Sequence, residues 1–320
     1  MPSFRTTRVT RILSERAGLQ RVETDLGRAY VLTQLTPPVA VDDEVVLNTT
    51  AVDLGLGTGG WHVVHWNLSA REWSAPGPGH ILKLRYTSLQ VDTGAAEEAT
   101  PDVADDLDGM PIVVCTLHSQ MAVVAAVVRY LRPAARIAYV MTDGAALPLA
   151  LSDLVHELRT AEVLDLTITA GHAFGGDLEA VSVPSALVLA RHAGADVAVV
   201  AMGPGIVGTG STLGTTAVEA AAALDATAAL GGDPILCARV SGADARARHR
   251  GRSHHTETVL RLTRTTVRVP KAQRDNPDPA AILRLFGLKV TTMGRGPGDD
   301  PEFFAACAAA AAAAASRLDP

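Results

Sequence analysis

ADVAVVAMGPGIVGTGSTLG (195–214) is the stretch of sequence from which the fold is predicted. Val197–Met202 is a continuous apolar run, typical of a strand buried on both faces of a parallel sheet. The glycine-rich turn that follows leads into an alanine-rich segment ending at Leu230, which favours a helix. A strand, a glycine-rich turn and a helix in this order leave free backbone N–H groups where an anion can bind.

The same alternation of apolar strands and helical stretches continues over the chain after Gly109. Strands are predicted at Ile112–Thr116, Arg136–Met141, Leu164–Thr169, Val197–Met202 and Ile235–Val240. Helices are predicted at Ser119–Leu131, Leu147–Thr160, Leu178–His192, Thr212–Leu230 and Pro279–Phe286, and from Asp300 onward. Because consecutive β-α units build parallel sheets with helices on both faces, residues 109–320 are predicted to form an α/β domain with a mostly parallel, doubly wound, three-layer sheet.

Residues 1–95 show a different pattern, with short alternating or valine-rich segments separated by turn-forming residues. The predicted strands are Arg8–Leu13, Leu19–Thr24, Arg28–Thr33, Glu44–Asn48, Trp61–Trp66 and Ile81–Val91. Short strands at this spacing favour a small β-barrel-like domain. Residues 96–108 are predicted to be an acidic linker, since seven acids and no base lie between Asp92 and Asp108.

The amino-acid composition limits which binding partners and which cellular compartment can be predicted. The net charge of −6 and the pI near 5.9 do not favour nucleic acid or an acidic membrane surface as partner. The apolar runs are too short or too weakly hydrophobic to cross a bilayer, and no signal peptide is recognisable. Three cysteines without a paired spacing are typical of reduced thiols, so a cytoplasmic protein is predicted, and homo-oligomer formation is left open.

Polar residues collect after the predicted strands, where ligands bind in open α/β sheets. Histidines transfer protons near neutral pH, and a neighbouring carboxylate can orient them. The candidate catalytic residues chosen on this basis are His118, Asp143, His172, His254 and His255.

A small anionic ligand is the predicted partner. Residues 239–274 hold ten of the 28 Lys and Arg residues, and arginine forks recognise phosphate and carboxylate groups. The candidate anion-binding residues are Gly203, Gly205, Gly208, Thr209, Gly210, Ser211, Arg248 and Arg250. A tight turn whose glycines only allow close packing explains the loop equally well.

A divalent metal such as Zn, Mn or Mg is a second hypothesis, with His172, Asp177 and His254 as candidate ligands. The spacing matches no diagnostic metal motif. Asp177 is explained as well by capping the predicted helix that follows it.

Several segments resemble an uncharacterised bacterial family, a domain of unknown function. They are NTTAV (48–52) with GLGTGG (55–60), YVMTDGAALP (139–148), GHAFGGDLEAV (171–181), MGPGIVGTG (202–210) and RHRGRSHHT (248–256). The resemblance covers nearly the whole chain. It implies membership but supplies no reaction and no catalytic residue.

The first functional hypothesis is an enzyme that acts on a small anionic, phosphorylated metabolite by hydrolysis or phosphoryl transfer. The alternatives are a non-catalytic ligand sensor and an NADP-dependent oxidoreductase. Pro204 argues against the last, because it removes a backbone N–H where a pyrophosphate needs one, although Arg239 is placed to meet a 2′-phosphate.

Overall fold

The computed structural model describes residues 2–57 and 59–318. The chain divides into two units, Met1–Gly94 and Ala95–Pro320, and a closed barrel occupies the first. Its strands are β1 (Phe4–Arg16), β2 (Leu19–Thr24), β3 (Gly27–Val31), β4 (Glu44–Asn48) and β5 (His62–Asn67), and a short helix, α1 (Thr50–Asp53), separates β4 from β5. The strand order β1-β2-β3-β5-β4 is closed by antiparallel pairing of β4 with β1. Val9, Val22 and Leu47 lie in its buried core, so the predicted small barrel is confirmed.

The segment Ile81–Val91 does not form the single strand that was predicted. It contains β6 (Leu82–Lys83), which pairs antiparallel with β7 (Val91–Asp92). Leu84 and Tyr86 adopt φ of +52° and +61° between the two strands, a conformation that ends an extended strand.

A six-stranded, all-parallel sheet is described in the second unit, which begins with α2 (Ala96–Ala99). The strands are β8 (Pro111–Cys115), β9 (Ile137–Thr142), β10 (Leu166–Ala170), β11 (Leu178–Ala180), β12 (Val197–Met202) and β13 (Asp233–Cys237). Their order is β11-β10-β9-β12-β8-β13. The chain moves outward from β8 to β11, returns to insert β12, and then passes to β13. The order therefore reverses beside β12, at the place where α/β sheets bind ligands.

Helices cover both faces, which confirms the predicted α/β domain. The helices are α3 (His118–Leu131), α4 (Asp153–Thr160), α5 (Val183–His192), α6 (Glu219–Ala229), α7 (His254–Leu262), α8 (Pro279–Leu285) and α9 (Pro301–Ala315). Residues of α3, α4, α8 and α9 share one buried apolar cluster, and those of α5, α6 and α7 share the other. Two short strands, β14 (Val240–Ser241) and β15 (Gly251–Arg252), pair beside the main sheet.

Three predicted helices begin later than expected. Leu178–Ala180 is a strand, and Ser182 accepts the Ser185 N–H as N-cap of α5. Leu147–Thr160 divides into a 3-10 turn at Leu149–Leu151 and α4, which Ser152 caps. In the segment after the glycine-rich turn, a 3-10 turn at Thr216–Val218 precedes α6, which begins only at Glu219. The capping hydroxyls of Ser152 and Ser182, rather than the start of apolar periodicity, set where α4 and α5 begin.

The cysteines are unbridged and buried, and Cys115 lies opposite Cys237 on the neighbouring strands β8 and β13. Among the described residues, no helix is both long and apolar enough to cross a membrane.

Candidate functional site

The loops after the parallel strands meet at the carboxyl edge of the sheet. The Ala146 N–H, after β9, donates to the Pro204 carbonyl in the glycine-rich loop at 3.0 Å. The His172 N–H, after β10, donates to Asp143 Oδ2 at 3.0 Å. The structure therefore brings the loops after β9, β10 and β12 together.

The glycine-rich loop (203–214) is tightly packed at its start and open further on. A methyl group on Gly203 would lie 2.4 Å from the Ala146 carbonyl oxygen, so only glycine fits there. Gly205 and Gly210 have φ of +100° and +89°, which favours glycine at both positions. Because α6 begins only at Glu219, this loop is not the first turn of a helix.

Hydroxyl groups hold the exposed half of the loop in shape. The Thr209 N–H donates to the Gly214 carbonyl at 2.7 Å, and the Ser211 hydroxyl accepts the Gly214 N–H at 3.0 Å. The two hydroxyls of Thr209 and Ser211 lie 3.0 Å apart. Both residues, predicted to bind the anion, thus also stabilise the loop itself.

Three histidines form a cluster, defined here as His249, His254 and His255, in which one ring nitrogen of each lies within 4.8 Å of the others. His249 ends a 3-10 turn at Ala247–His249. His254 and His255 were predicted to lie in a loop, but they start α7 because the Ser253 hydroxyl accepts the His255 N–H at 3.2 Å.

Asp244 is 2% exposed, and its charge acts on His249 in this cluster. Its carboxylate pairs with Arg246 at 2.8 Å, Arg239 at 3.2 Å and Arg295 at 3.5 Å. The hydrogen bond from Arg246, together with its N–H and charge and the charge of Arg239, lowers the pKa of Asp244 against the effect of burial. Asp300, also buried, pairs with Arg295 at 3.1 Å. These arginines are therefore committed to structural ion pairs.

Burial and the neighbouring arginines favour the uncharged form of the histidines in the cluster. Burial, then the charge of Arg239, lowers the pKa of His249 to about 4 and that of His255 to about 3. Burial, then the charge of Arg248, lowers the pKa of His254. All three shifts favour the neutral imidazole, which is the form that binds a metal.

Arg248 and Arg250, the predicted anion clamp, are exposed. Within residues 2–57 and 59–318, neither guanidinium has a hydrogen bond or an ion pair. A methyl group on Gly210 would lie 3.6 Å from the Arg248 guanidinium carbon, and one on Gly208 would lie 3.8 Å from His255 Nε2. The glycine-rich loop therefore adjoins both an unpaired arginine and the histidine cluster.

Glu219 also lies at the candidate site, although it was not predicted from the sequence. It accepts a short hydrogen bond from the Thr142 hydroxyl, next to Asp143. Burial, together with the charge of Asp143, raises the pKa of Glu219 to about 7, although the Thr142 bond opposes this. Asp143 and Glu219 are thus two neighbouring carboxyl groups at the end of β9. The sequence signal for Glu219 is its place at the start of α6, after the 3-10 turn that follows the glycine-rich loop.

His118 has both ring nitrogens engaged. Nδ1 lies 3.1 Å from the Met202 carbonyl, to which it donates, and Nε2 lies 2.7 Å from the Ser152 hydroxyl. Burial lowers its pKa to about 4. This neutral ring links the loops after β8 and β12 to the start of α4, and it has no nitrogen free for a substrate in this arrangement.

The predicted metal ligands His172, Asp177 and His254 are not brought together. Asp177 accepts the Thr167 N–H at 2.8 Å and pairs with Arg159 at 3.1 Å, near the amino end of β10. The chain reverses after His172 to start β11, and this reversal carries Asp177 to the opposite edge of the sheet. Asp177 therefore closes a strand pair and does not cap a helix.

A separate groove lies at the amino edge of the sheet, with a volume of about 540 Å³. Asp108–Pro111 and Leu131–Ala135 line it, with Arg191 and Arg317. The candidate site at the carboxyl edge is, by contrast, exposed at Arg248, Gly210 and Thr209.

The family model described as protein of unknown function (DUF3866) matches residues 28–281. No curated protein and no solved structure matches the chain. Because the match spans most of the sequence, from the barrel to α8, the chain belongs to this family, and the resemblance stated above is confirmed.

Proposed function

We propose that this member of the family is an enzyme that acts on a small phosphorylated metabolite, by hydrolysis or phosphoryl transfer, at the carboxyl edge of its parallel sheet. One observation carries the proposal. The unpaired Arg248 guanidinium lies beside the glycine-rich loop, at the place where the strand order reverses. Arginine presents a planar fork of donors that suits a phosphate dianion, and glycine allows an anion to approach the backbone.

The neighbouring carboxyl groups supply the acid-base chemistry in this proposal. With a pKa near 7, Glu219 exchanges a proton at physiological pH, as a general acid or base must. The charge of Asp143, beside it, contributes to this raised pKa. His172 is held next to Asp143 through its backbone N–H. Hydrolysis needs a water molecule as the second reactant, and phosphoryl transfer needs a hydroxyl acceptor.

A ligand sensor is the second candidate, and the separate barrel unit favours it, because a sensor needs a second unit to report that the ligand is bound. An NADP-dependent oxidoreductase is less well supported. Arg239, the residue expected to meet a 2′-phosphate, is 3% exposed and is paired with Asp244.

Calorimetric titration with inorganic phosphate tests the anion site. The variant Arg248→Ala is expected to weaken binding by roughly 10- to 100-fold, the cost of losing a charge-assisted hydrogen-bond pair. Arg284→Ala, which removes the same charge from an exposed position of α8, on the opposite face of the sheet from α7, is the matched control. Equal affinity in the two variants would rule out Arg248 as the clamp.

Phosphate release from a panel of phosphate monoesters tests the enzymatic part. The wild type is expected to release phosphate from at least one ester, and Glu219→Gln is expected to lower kcat. If the protein binds phosphate but hydrolyses none of the esters, the sensor hypothesis replaces the enzyme hypothesis.

A further inference from the structure

The histidine cluster (His249, His254 and His255) combines ligand atoms from two elements that Ser253 holds together. The Ser253 hydroxyl lies 2.7 Å from His249 Nδ1 and also accepts the His255 N–H. When His249 Nδ1 donates this hydrogen bond, its Nε2 carries a free lone pair. Such an outer hydrogen bond is the usual way in which proteins orient a metal-binding histidine.

His254 provides the second independent observation. Its Nε2 is buried and has no hydrogen-bond partner among the described residues. A buried polar atom without a partner is costly, and a bound ion is one of the explanations for it. The ring centroids of His254 and His255 lie 4.4 Å apart, and one ring nitrogen of each of the three histidines lies within 4.8 Å of the others.

We propose that His249, His254 and His255 bind one divalent transition-metal ion, with Zn²⁺ as the best match. Imidazole nitrogen suits Zn²⁺, whereas Mg²⁺ and Ca²⁺ require oxygen ligands that this cluster does not offer. Three protein ligands leave one tetrahedral position open, as in catalytic zinc sites. Ligand nitrogens around Zn²⁺ lie about 3.3 Å apart, so binding draws together rings whose nitrogens lie within 4.8 Å of one another.

The charges around the cluster determine how the metal binds. Arg239 Nη1 lies 3.4 Å from His255 Nδ1, Arg246 and Arg248 are close enough to affect the rings, and Asp244 is the neighbouring carboxylate. A 3.4 Å contact is long for an N–H···N hydrogen bond, so His255 is not firmly committed to Arg239. The excess of positive charge opposes a cation and favours an anion beside it. The metal and phosphate should therefore strengthen each other's binding.

This inference rests on the proposed function for the identity of the anion, but not for the metal ligands. It replaces the predicted set of His172, Asp177 and His254, in which Asp177 lies at the opposite edge of the sheet. The open metal position would lie beside Gly208 in the glycine-rich loop, next to His255 Nε2.

Cobalt provides the probe, because Co²⁺ replaces Zn²⁺ and its visible absorption reports coordination. Chelator-treated protein is expected to bind one Co²⁺ per chain, and added Zn²⁺ is expected to displace it. Phosphate should tighten Co²⁺ binding in the wild type. His254→Ala should weaken it by more than the roughly 10- to 100-fold that loss of an outer-shell partner costs. His156→Ala, at an exposed position of α4 away from the site, is the matched control and should leave Co²⁺ affinity unchanged.

X-ray absorption of the zinc-loaded wild type provides a test that needs no variant. Three imidazole nitrogens at about 2.0–2.1 Å are expected. One imidazole or none, or Co²⁺ binding that survives His254→Ala in folded protein, would overturn the metal site. Failure of the metal site is distinguishable from failure of the proposed function, because phosphate binding that depends on Arg248 in metal-free protein tests the latter alone.

Discussion

Glu219 shows how one side chain acquires functional chemistry from its surroundings. Its carboxyl group is removed from water and lies beside Asp143, and both effects disfavour the charged form. The hydrogen bond from Thr142 favours the charged form but is the weaker influence. The result is a carboxyl group with a pKa near 7 in the folded protein.

The raised pKa of Glu219 should make the free energy of unfolding depend on pH. A pKa raised from 4.5 to about 7 means that the folded state holds this proton more tightly than the unfolded state between those pH values. The group's contribution to the free energy of unfolding is therefore fully present below about pH 4.5, and is lost as pH rises to 7. At pH 8 the ionised group costs up to about 3 kcal/mol.

We expect Glu219→Gln to gain stability relative to wild type as pH rises from 5 to 8, because glutamine cannot ionise. Urea denaturation at several pH values measures this difference. Glu157→Gln, on the exposed side of α4, removes a carboxylate from the surface and is the matched control. A constant difference between Glu219→Gln and wild type across this range would contradict the raised pKa.

Individual contacts at the site were only partly predictable. Arg248 and the glycine residues could be chosen because arginine and glycine have distinctive chemistry in a loop after a strand. The raised pKa of Glu219 depends partly on Asp143, and one ion pair of Asp244 depends on Arg295, and both of these partners are far away in the sequence. Local pattern does not encode such partners, so these residues were missed.

At the scale of elements, α7 is the helix that assembles the candidate site. Ser253 caps it and at the same time contacts His249, so one hydroxyl fixes both the helix start and the cluster. Ser182 provides a comparison within the same unit, because it caps α5 through the Ser185 N–H at 3.3 Å.

Ser253→Ala and Ser182→Ala are both expected to lower the free energy of unfolding by about 1 kcal/mol, the usual cost of losing an N-cap. Only Ser253→Ala should also weaken Co²⁺ binding, by roughly 10- to 100-fold, because it releases His249. Thermal denaturation and cobalt titration of the two variants measure both effects. Equal Co²⁺ affinity in the two variants would show that Ser253 acts only as a cap.

The identity and order of most elements followed from the sequence, because β8–β10, β12 and β13 are apolar runs and α3 and α9 are long stretches of good helix formers. Helix starts were harder to predict. The segment after Asp177 alternates apolar and polar residues over only three positions before Ser182 starts α5, too few to separate a strand from a helix. The helix α7 was not predicted at all, because its first turn is polar.

At the scale of the whole molecule, hydrogen exchange in the two units can distinguish the enzyme hypothesis from the sensor hypothesis. Saturating phosphate is expected to slow exchange in residues 203–218 and 246–262, because binding stabilises the folded state of the segments that contact the ligand. The enzyme hypothesis predicts no change in β1–β5. Slower exchange extending into these strands would favour the sensor instead.

A crystal structure of the protein soaked with tungstate locates a phosphate-like anion by its anomalous signal and so tests the proposed anion site. We expect one strong peak within hydrogen-bonding distance of the Arg248 guanidinium and the glycine-rich loop. A peak only in the amino-edge groove beside Arg317, with none near Arg248, would contradict it.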